Sequence, residues 1–210
     1  MTEFVTALLK RRSVIIGTAA AAFVAGCQVL KGPVIPQLYV LRPQVPSSMG
    51  PQVRWRLSVA TPDAVASLDT PRIALTRSTT TMDYFANAAW TDRVPLLLQR
   101  QLIQAFDASG RIVSVDRDTS GLEADYLLST EIKEFQARYD APDGPPQIVI
   151  NIQAKLARMP QRQIATNLNV TQQVGATANN LDSIVAAFNQ AVGAAIGQIV
   201  SGTLAMPPPA

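Results

Sequence analysis

The chain reads as an α+β protein in one domain, a mostly antiparallel sheet with two amphipathic helices packed on one face. Three observations predict this. Apolar and polar residues alternate over 53–59, 125–139, 148–156 and 164–174, the period of half-buried strands. The period changes to 3.6 over 92–107 and again over Leu181–Leu204. Short clusters of Pro, Gly, Asp and Ser separate the extended segments, as hairpin turns require.

The elements follow in order. A first strand is predicted over 38–41, stopped by Pro43, and residues 43–51, with three prolines, two serines and a glycine, read as a surface loop. Val53, Trp55, Leu57 and Val59 then share one face of a strand. Residues 61–71 begin and end with Thr-Pro pairs and read as a helical turn or a loop, after which Ile73 and Leu75 continue as a strand whose hairpin partner carries Met82, Tyr84 and Ala86. The helix over 92–107 places Val94, Leu97, Leu98, Leu102, Ala105 and Phe106 on one stripe. Thr91 is its expected cap, Asp92 suits its positive end, Pro95 is tolerated in its first turn and Gly110 ends it.

A short strand at 112–115 and a polar loop at 116–121 lead into the long extended segment 125–139. Tyr126, Leu128 and Ile132 have one parity there and Phe135, Ala137 and Tyr139 the other, so a bulge is expected near Lys133 or Glu134. Turns at 140–146 and 160–162 fold the next two strands into an antiparallel meander. The second helix, Leu181–Leu204, is expected to be capped by Asn179 or Asn180, and the Pro-rich tail 205–210 to be unstructured.

Composition removes whole classes of function. The 210 residues include no histidine and one cysteine, so the commonest general base and metal ligand are missing and no internal disulfide can form. The formal charge of +3 needs to be located before it means anything. Lys10, Arg11 and Arg12 precede a dozen apolar or small residues, too few to cross a bilayer core that needs about 20. This is the order of a signal peptide, 1–26. Val24-Ala25-Gly26-Cys27 resembles the bacterial lipobox, in which signal peptidase recognises the residues before an invariant cysteine and cuts in front of it. The resemblance implies a diacylglycerol thioether on Cys27, an acyl chain on the freed amine and a membrane anchor, with 27–36 as a lipidated tether. Two or three acyl chains at about 0.8 kcal/mol per methylene hold far more firmly than one. Gln28, where enteric lipoproteins retained in the inner membrane carry aspartate, favours the outer membrane by the same resemblance.

Loss of Lys10, Arg11, Arg12 and Glu3 with residues 1–26 takes eighteen cations and fifteen anions to fifteen and fourteen, a charge of +1. The basicity belongs to the export signal. No remaining stretch interleaves cations with aromatics, so no nucleic-acid partner is expected.

Several strings in the expected domain, 37–204, resemble the ABC-type transport auxiliary lipoprotein family, which includes the PqiC-like proteins. They are Tyr39-Val-Leu, Pro71-Arg-Ile-Ala-Leu, the run Met82-Asp-Tyr-Phe-Ala-Asn-Ala-Ala-Trp90 and Asp125-Tyr-Leu-Leu, in that order behind the lipobox. The resemblance implies a non-enzymatic periplasmic component of an ABC transporter with an MCE-domain subunit, moving lipids or other hydrophobic molecules. It implies partners in that subunit and in the permease and ATPase, and it brings no catalytic motif. An assembly or scaffold lipoprotein of the outer membrane is the structural alternative, and an envelope hydrolase a third.

Candidate contact residues are few. Tyr84 and Trp90 fit either a ligand or partner contact or core packing between hairpin and helix, and the 94–106 stripe fits either lipid or core. Asp116 and Asp118 lack the spacing of a cation loop. Ser129 and Lys133 share a strand face about 13 Å apart, whereas Thr130 points oppositely, so neither makes a nucleophile and base pair. No catalytic residue, metal ligand or cofactor is expected beyond the lipid on Cys27. The solvent parity of the last two strands carries Asn151, Gln153, Asn167, Asn169, Thr171 and Gln173, a nearly charge-free amide surface suited to a partner or to a second copy of the chain.

Overall fold

A computed structural model describes residues 35–46, 48–141 and 143–208. Cys27, the signal segment and most of the tether lie outside the described residues. The order is β1 (Gln37–Tyr39), β2 (Arg56–Val59), β3 (Asp63–Ala64), β4 (Arg72–Thr76), β5 (Met82–Trp90), α1 (Val94–Ser109), β6 (Ser114–Arg117), β7 (Tyr126–Arg138), β8 (Gln147–Arg158), β9 (Gln163–Gly175) and α2 (Leu181–Leu204). It is an α+β fold.

The thirteen-residue β7 organises the sheet. One edge pairs antiparallel with β8 along its whole length, and β8 pairs antiparallel with β9. The other edge is shared in series by β2, β3 and β4, all parallel to β7. The β4–β5 hairpin is antiparallel, while β1 joins β5 and β6 joins β2 in parallel. The long ladders are therefore antiparallel and the parallel ones have two to four residue pairs each. The parity change in β7 is a bulge between Ile132 and Glu134, as the sequence predicts.

α2 lies on β8 and β9, and α1 runs beside α2 and reaches the sheet through β2 and β6. Trp90, Phe135 and Phe188 meet between them, Trp90 edge-on to both phenylalanines and the two phenylalanines stacked at 5.3 Å. α2 is apolar and long enough to cross a bilayer, yet 61% of its most apolar window is buried inside the fold. The helix is a core element. Asn180 caps it by accepting from the Ser183 amide at 2.9 Å, while Asn179 accepts from the Tyr139 hydroxyl.

Several expectations change. α1 begins at Val94, with Arg93 rather than Thr91 at the cap position and no side-chain cap. The Val94 amide donates to the Thr70 carbonyl, so a neighbouring loop supplies the acceptor that Thr91 was expected to provide. Residues 61–71 include β3, because Asp63 and Ala64 find free backbone groups on β7. β2 starts only at Arg56, since the Val53 amide is held by the Arg111 carbonyl. Ile164, the first apolar residue of the alternation over 164–174, is 63% exposed, because an irregularity beside Leu156 and Ala157 turns the start of β9 outward. The tail also departs: the Tyr126 hydroxyl donates to the Pro207 carbonyl at 2.9 Å, and Met206 packs on the core.

The segment that includes 43–51 is a surface loop, as expected, and it is also tied down as a strap across α2. Gly193 and Gly197, one turn apart on α2, lie directly beneath it: a Cβ at Gly193 would sit 2.3 Å from the Gln44 carbonyl oxygen, and one at Gly197 3.1 Å from Pro46 Cδ. The Arg42 amide donates to Asn189 Oδ1, and Gln101 Nε2 donates to the Leu41 carbonyl. The Arg111 guanidinium, 9% exposed, donates to the Pro51 and Met49 carbonyls and to Ser48 Oγ at 2.6–3.1 Å.

Candidate functional site

The meander register gathers the predicted amides on one surface. Asn151 lies opposite Thr171, Gln153 opposite Asn169, Lys155 opposite Asn167 and Val149 opposite Gln173. Alternation then puts these side chains on the face away from α2. Gln153 Nε2 donates to Asn167 Oδ1 at 3.3 Å, diagonally across the strands. Asn167 and Asn169 are exposed, and Asn151 is half-buried with its Oδ1 buried and unpartnered. A buried acceptor without a donor is costly, so Asn151 leaves an unmet hydrogen-bonding demand on this face.

A groove of about 550 Å³ borders the amide face, lined by Asp63, Val65, Ser129, Glu131, Lys133 and Lys155. It brings Ser129 and Lys133 to one depression, and its cations stand among carboxylates of equal number. Thr130 faces the core, 3% exposed, with its hydroxyl unpartnered. No group of three potential metal ligands from His, Cys, Asp and Glu occurs among the described residues.

β9 has one strand neighbour, β8, among the described residues. Its thirteen residues contain no charge and no proline. Natural sheets protect such edges with lysine, proline or shortness, and β9 uses none of these. The sequence marks the amides but not the edge, because strand order is a property of the assembled sheet.

Trp90 is a core residue. It is 1% exposed, and the whole 94–106 stripe is buried with it, so neither meets a ligand or partner here. Tyr84 is half-buried on the rim, its hydroxyl donating to the Ser67 carbonyl at 3.0 Å and its ring covered by the Arg72 guanidinium at 3.7 Å. The structure thus brings Asn151, Asn167 and Asn169 together and separates them from Tyr84 and Trp90.

Two carboxyls away from this face titrate in opposite senses. Partial burial pushes Asp125 up, but the Arg56 amide at 2.7 Å and its guanidinium at 3.3 Å outweigh it and hold the carboxyl below its usual range. Lost hydration beside α1 and the like charge of Asp116 push the exposed Asp107 up.

Comparison with known proteins places this geometry. The sequence profile of the ABC-type transport auxiliary lipoprotein component matches residues 39–200. The chain belongs to that family. It is 27% identical to XCC0632 of Xanthomonas campestris, whose crystal structure superposes with a TM-score of 0.75 over 80% of this chain and 95% of that one. A second crystal structure, of an uncharacterized protein, shares the fold at a TM-score of 0.62 and 17% identity, over 81% and 97% of the two chains. The uncharacterized protein bll6063 of Bradyrhizobium diazoefficiens is 28% identical over 170 residues, 77% of this chain. The chain spans 43% of that relative's length. The family is one of auxiliary lipoprotein components, which implies attachment to the cell envelope and is not an enzyme class.

Proposed function

We propose that this protein is a periplasm-facing lipoprotein, anchored through acyl chains on Cys27 in the outer membrane. In this reading it serves without catalysis in an ABC transporter that moves lipids or other hydrophobic molecules through an MCE-type subunit. The observation that carries the reading is the family match over residues 39–200 standing behind a lipobox at 24–27. The anchor holds the domain within reach of the membrane, since the ten residues 27–36 span at most about 35 Å. The amide face of β8 and β9 is the docking surface for the MCE subunit, being nearly uncharged, rich in donors and acceptors and free of the repulsion that a single-sign surface would bring.

Affinity isolation of the tagged full chain from its native membranes, with identification of the captured proteins and lipids, tests this. Recovery of an MCE-domain protein with a permease and an ATPase is the expected outcome. Isolation of a cell-wall synthase or an export scaffold in their place would sink it. Cys27→Ser is expected to abolish diacylglycerol attachment and the cut in front of position 27, seen by intact mass as a heavier chain that keeps residues 1–26 and carries no acyl groups.

A further inference from the structure

We propose that the outward side of β1 and of the residues just after it, Leu38, Val40 and Arg42, lies on the bilayer, a second membrane contact besides the acyl chains. The inference rests on reading Cys27 as the anchored residue, but it concerns the folded domain and names the part of it that meets lipid.

Three observations carry it. β1 is an edge strand held by β5, and Tyr39 packs on the core while Leu38 and Val40, of the opposite parity, are 60% and 45% exposed. A strand with one buried face ordinarily carries polar residues on the other, whereas the outward positions here are leucine and valine. Arginines frame them. Arg42 continues the same parity and is exposed, and Arg72 stands in the row Leu38, Ala89, Arg72 across β1, β5 and β4, its guanidinium over the Tyr84 ring at 3.7 Å. Among the described residues neither arginine forms an ion pair, which leaves two cations beside two apolar side chains. The third observation is chain length: Gln37 follows Cys27 by ten residues, so lipid on that sulfur keeps β1 within about 36 Å of the bilayer and nearer to the anchor along the chain than any other strand.

Tether and charge select the occupant. A stable protein interface buries about 800 Å² on each partner, more than two apolar side chains and a three-residue strand can supply. Lipid asks for less, because the anchor makes the contact intramolecular and gives a weak patch an effective concentration in the millimolar range. Cations beside apolar side chains match anionic headgroups above acyl chains, the one surface that offers both chemistries to so small a patch.

The test uses the full lipidated chain, its Cys27 sulfur blocked by the thioether, in vesicles of phosphatidylcholine and phosphatidylglycerol. A bimane label on L38C is expected to be quenched by headgroup-nitroxide lipid several-fold more than the same label on V113C. Val113 is of similar exposure, 65% against 60%, and sits beside β6 at the opposite end of the strand path from β1. Adding R42E to L38C is expected to cut the quenching about twofold on these anionic vesicles, with the near-ultraviolet signature of buried Trp55 and Trp90 intact. Equal quenching of the two labels, or quenching untouched by R42E, overturns the proposal. So does an L38C label shielded from water yet not reached by the nitroxide, which shows a protein on the patch. Intact mass separates the two failures: an acylated chain with equal quenching loses the patch and keeps the anchor, whereas a chain without acyl groups removes the anchor reading and the patch with it.

Discussion

The two halves of the sheet are held by different means. On one side of β7, β8 and β9 form twelve-rung antiparallel ladders in which neighbours in sequence are neighbours in space. On the other side, β2, β3 and β4 attach through two or three parallel pairs each, and the strap and both helices hold that half together. The meander draws on backbone pairing, whereas the strap side draws on side-chain packing and on scattered hydrogen bonds with Arg111, Gln101 and Asn189. Regions of the second kind depend on a few positions, so substitutions there have large and local effects.

Substitutions can break this contrast in graded steps. The largest effect is expected from Phe188→Ala, which removes the ring contacting both Trp90 and Phe135. Because the cluster joins the two halves, chemical denaturation should show a single transition weakened by about 3–5 kcal/mol.

Gly193→Val comes next and separates the halves. Its side chain occupies the space of the Gln44 backbone, so the strap must lift, at about 1–3 kcal/mol. Amide exchange is expected to quicken in 41–53 while β8 and β9 keep their protection. Uniform quickening would show that the strap and the meander are not distinct.

The smallest effects concern pH and are opposite in sign. Asp125 has a lowered pKa in the fold, so its contribution is present above the usual carboxylate range and is lost as pH falls through that range and the lowered folded value. Asp125→Ala should cost about 1 kcal/mol at neutral pH and little in acid. Asp107 has a raised pKa, so it favours folding when protonated and opposes it as pH rises through the folded value. It also sets a negative charge near the negative end of α1. Asp107→Asn should therefore add a few tenths of a kcal/mol at neutral pH, and thermal unfolding at two pH values checks both signs.

The same contrast explains what was legible in the sequence. The meander, its bulge at Lys133 and the limits of α2 are written in local periodicity and in an Asn cap, so 126–204 reads almost directly. The strap half is not local. Nothing near 41–53 announces that it crosses a helix some 150 residues on, and its only marker is a pair of glycines spaced by one turn in α2. Parallel pairing of β2, β3 and β4 is likewise decided by the free edge of β7. Of the candidate contacts, the amides were readable because solvent parity exposes them, whereas Trp90 was ambiguous because an aromatic at a strand end serves a core or a surface equally well.

In the proposed arrangement the amide face of the anchored accessory domain docks onto an MCE-type subunit. Gln153 tests it most directly, lying on that face in β8 and away from the β9 edge. The measurement is the amount of MCE-domain protein recovered with the tagged, lipidated full chain from native membranes, for the unaltered chain, Gln153→Lys and, as the control, Val113→Lys, exposed beside β6 at the far end of the sheet. A drop of about tenfold for Gln153→Lys, equivalent to about 1.4 kcal/mol, with recovery unchanged for Val113→Lys, is the predicted result. Full recovery with Gln153→Lys, or an equal loss with both, would contradict it.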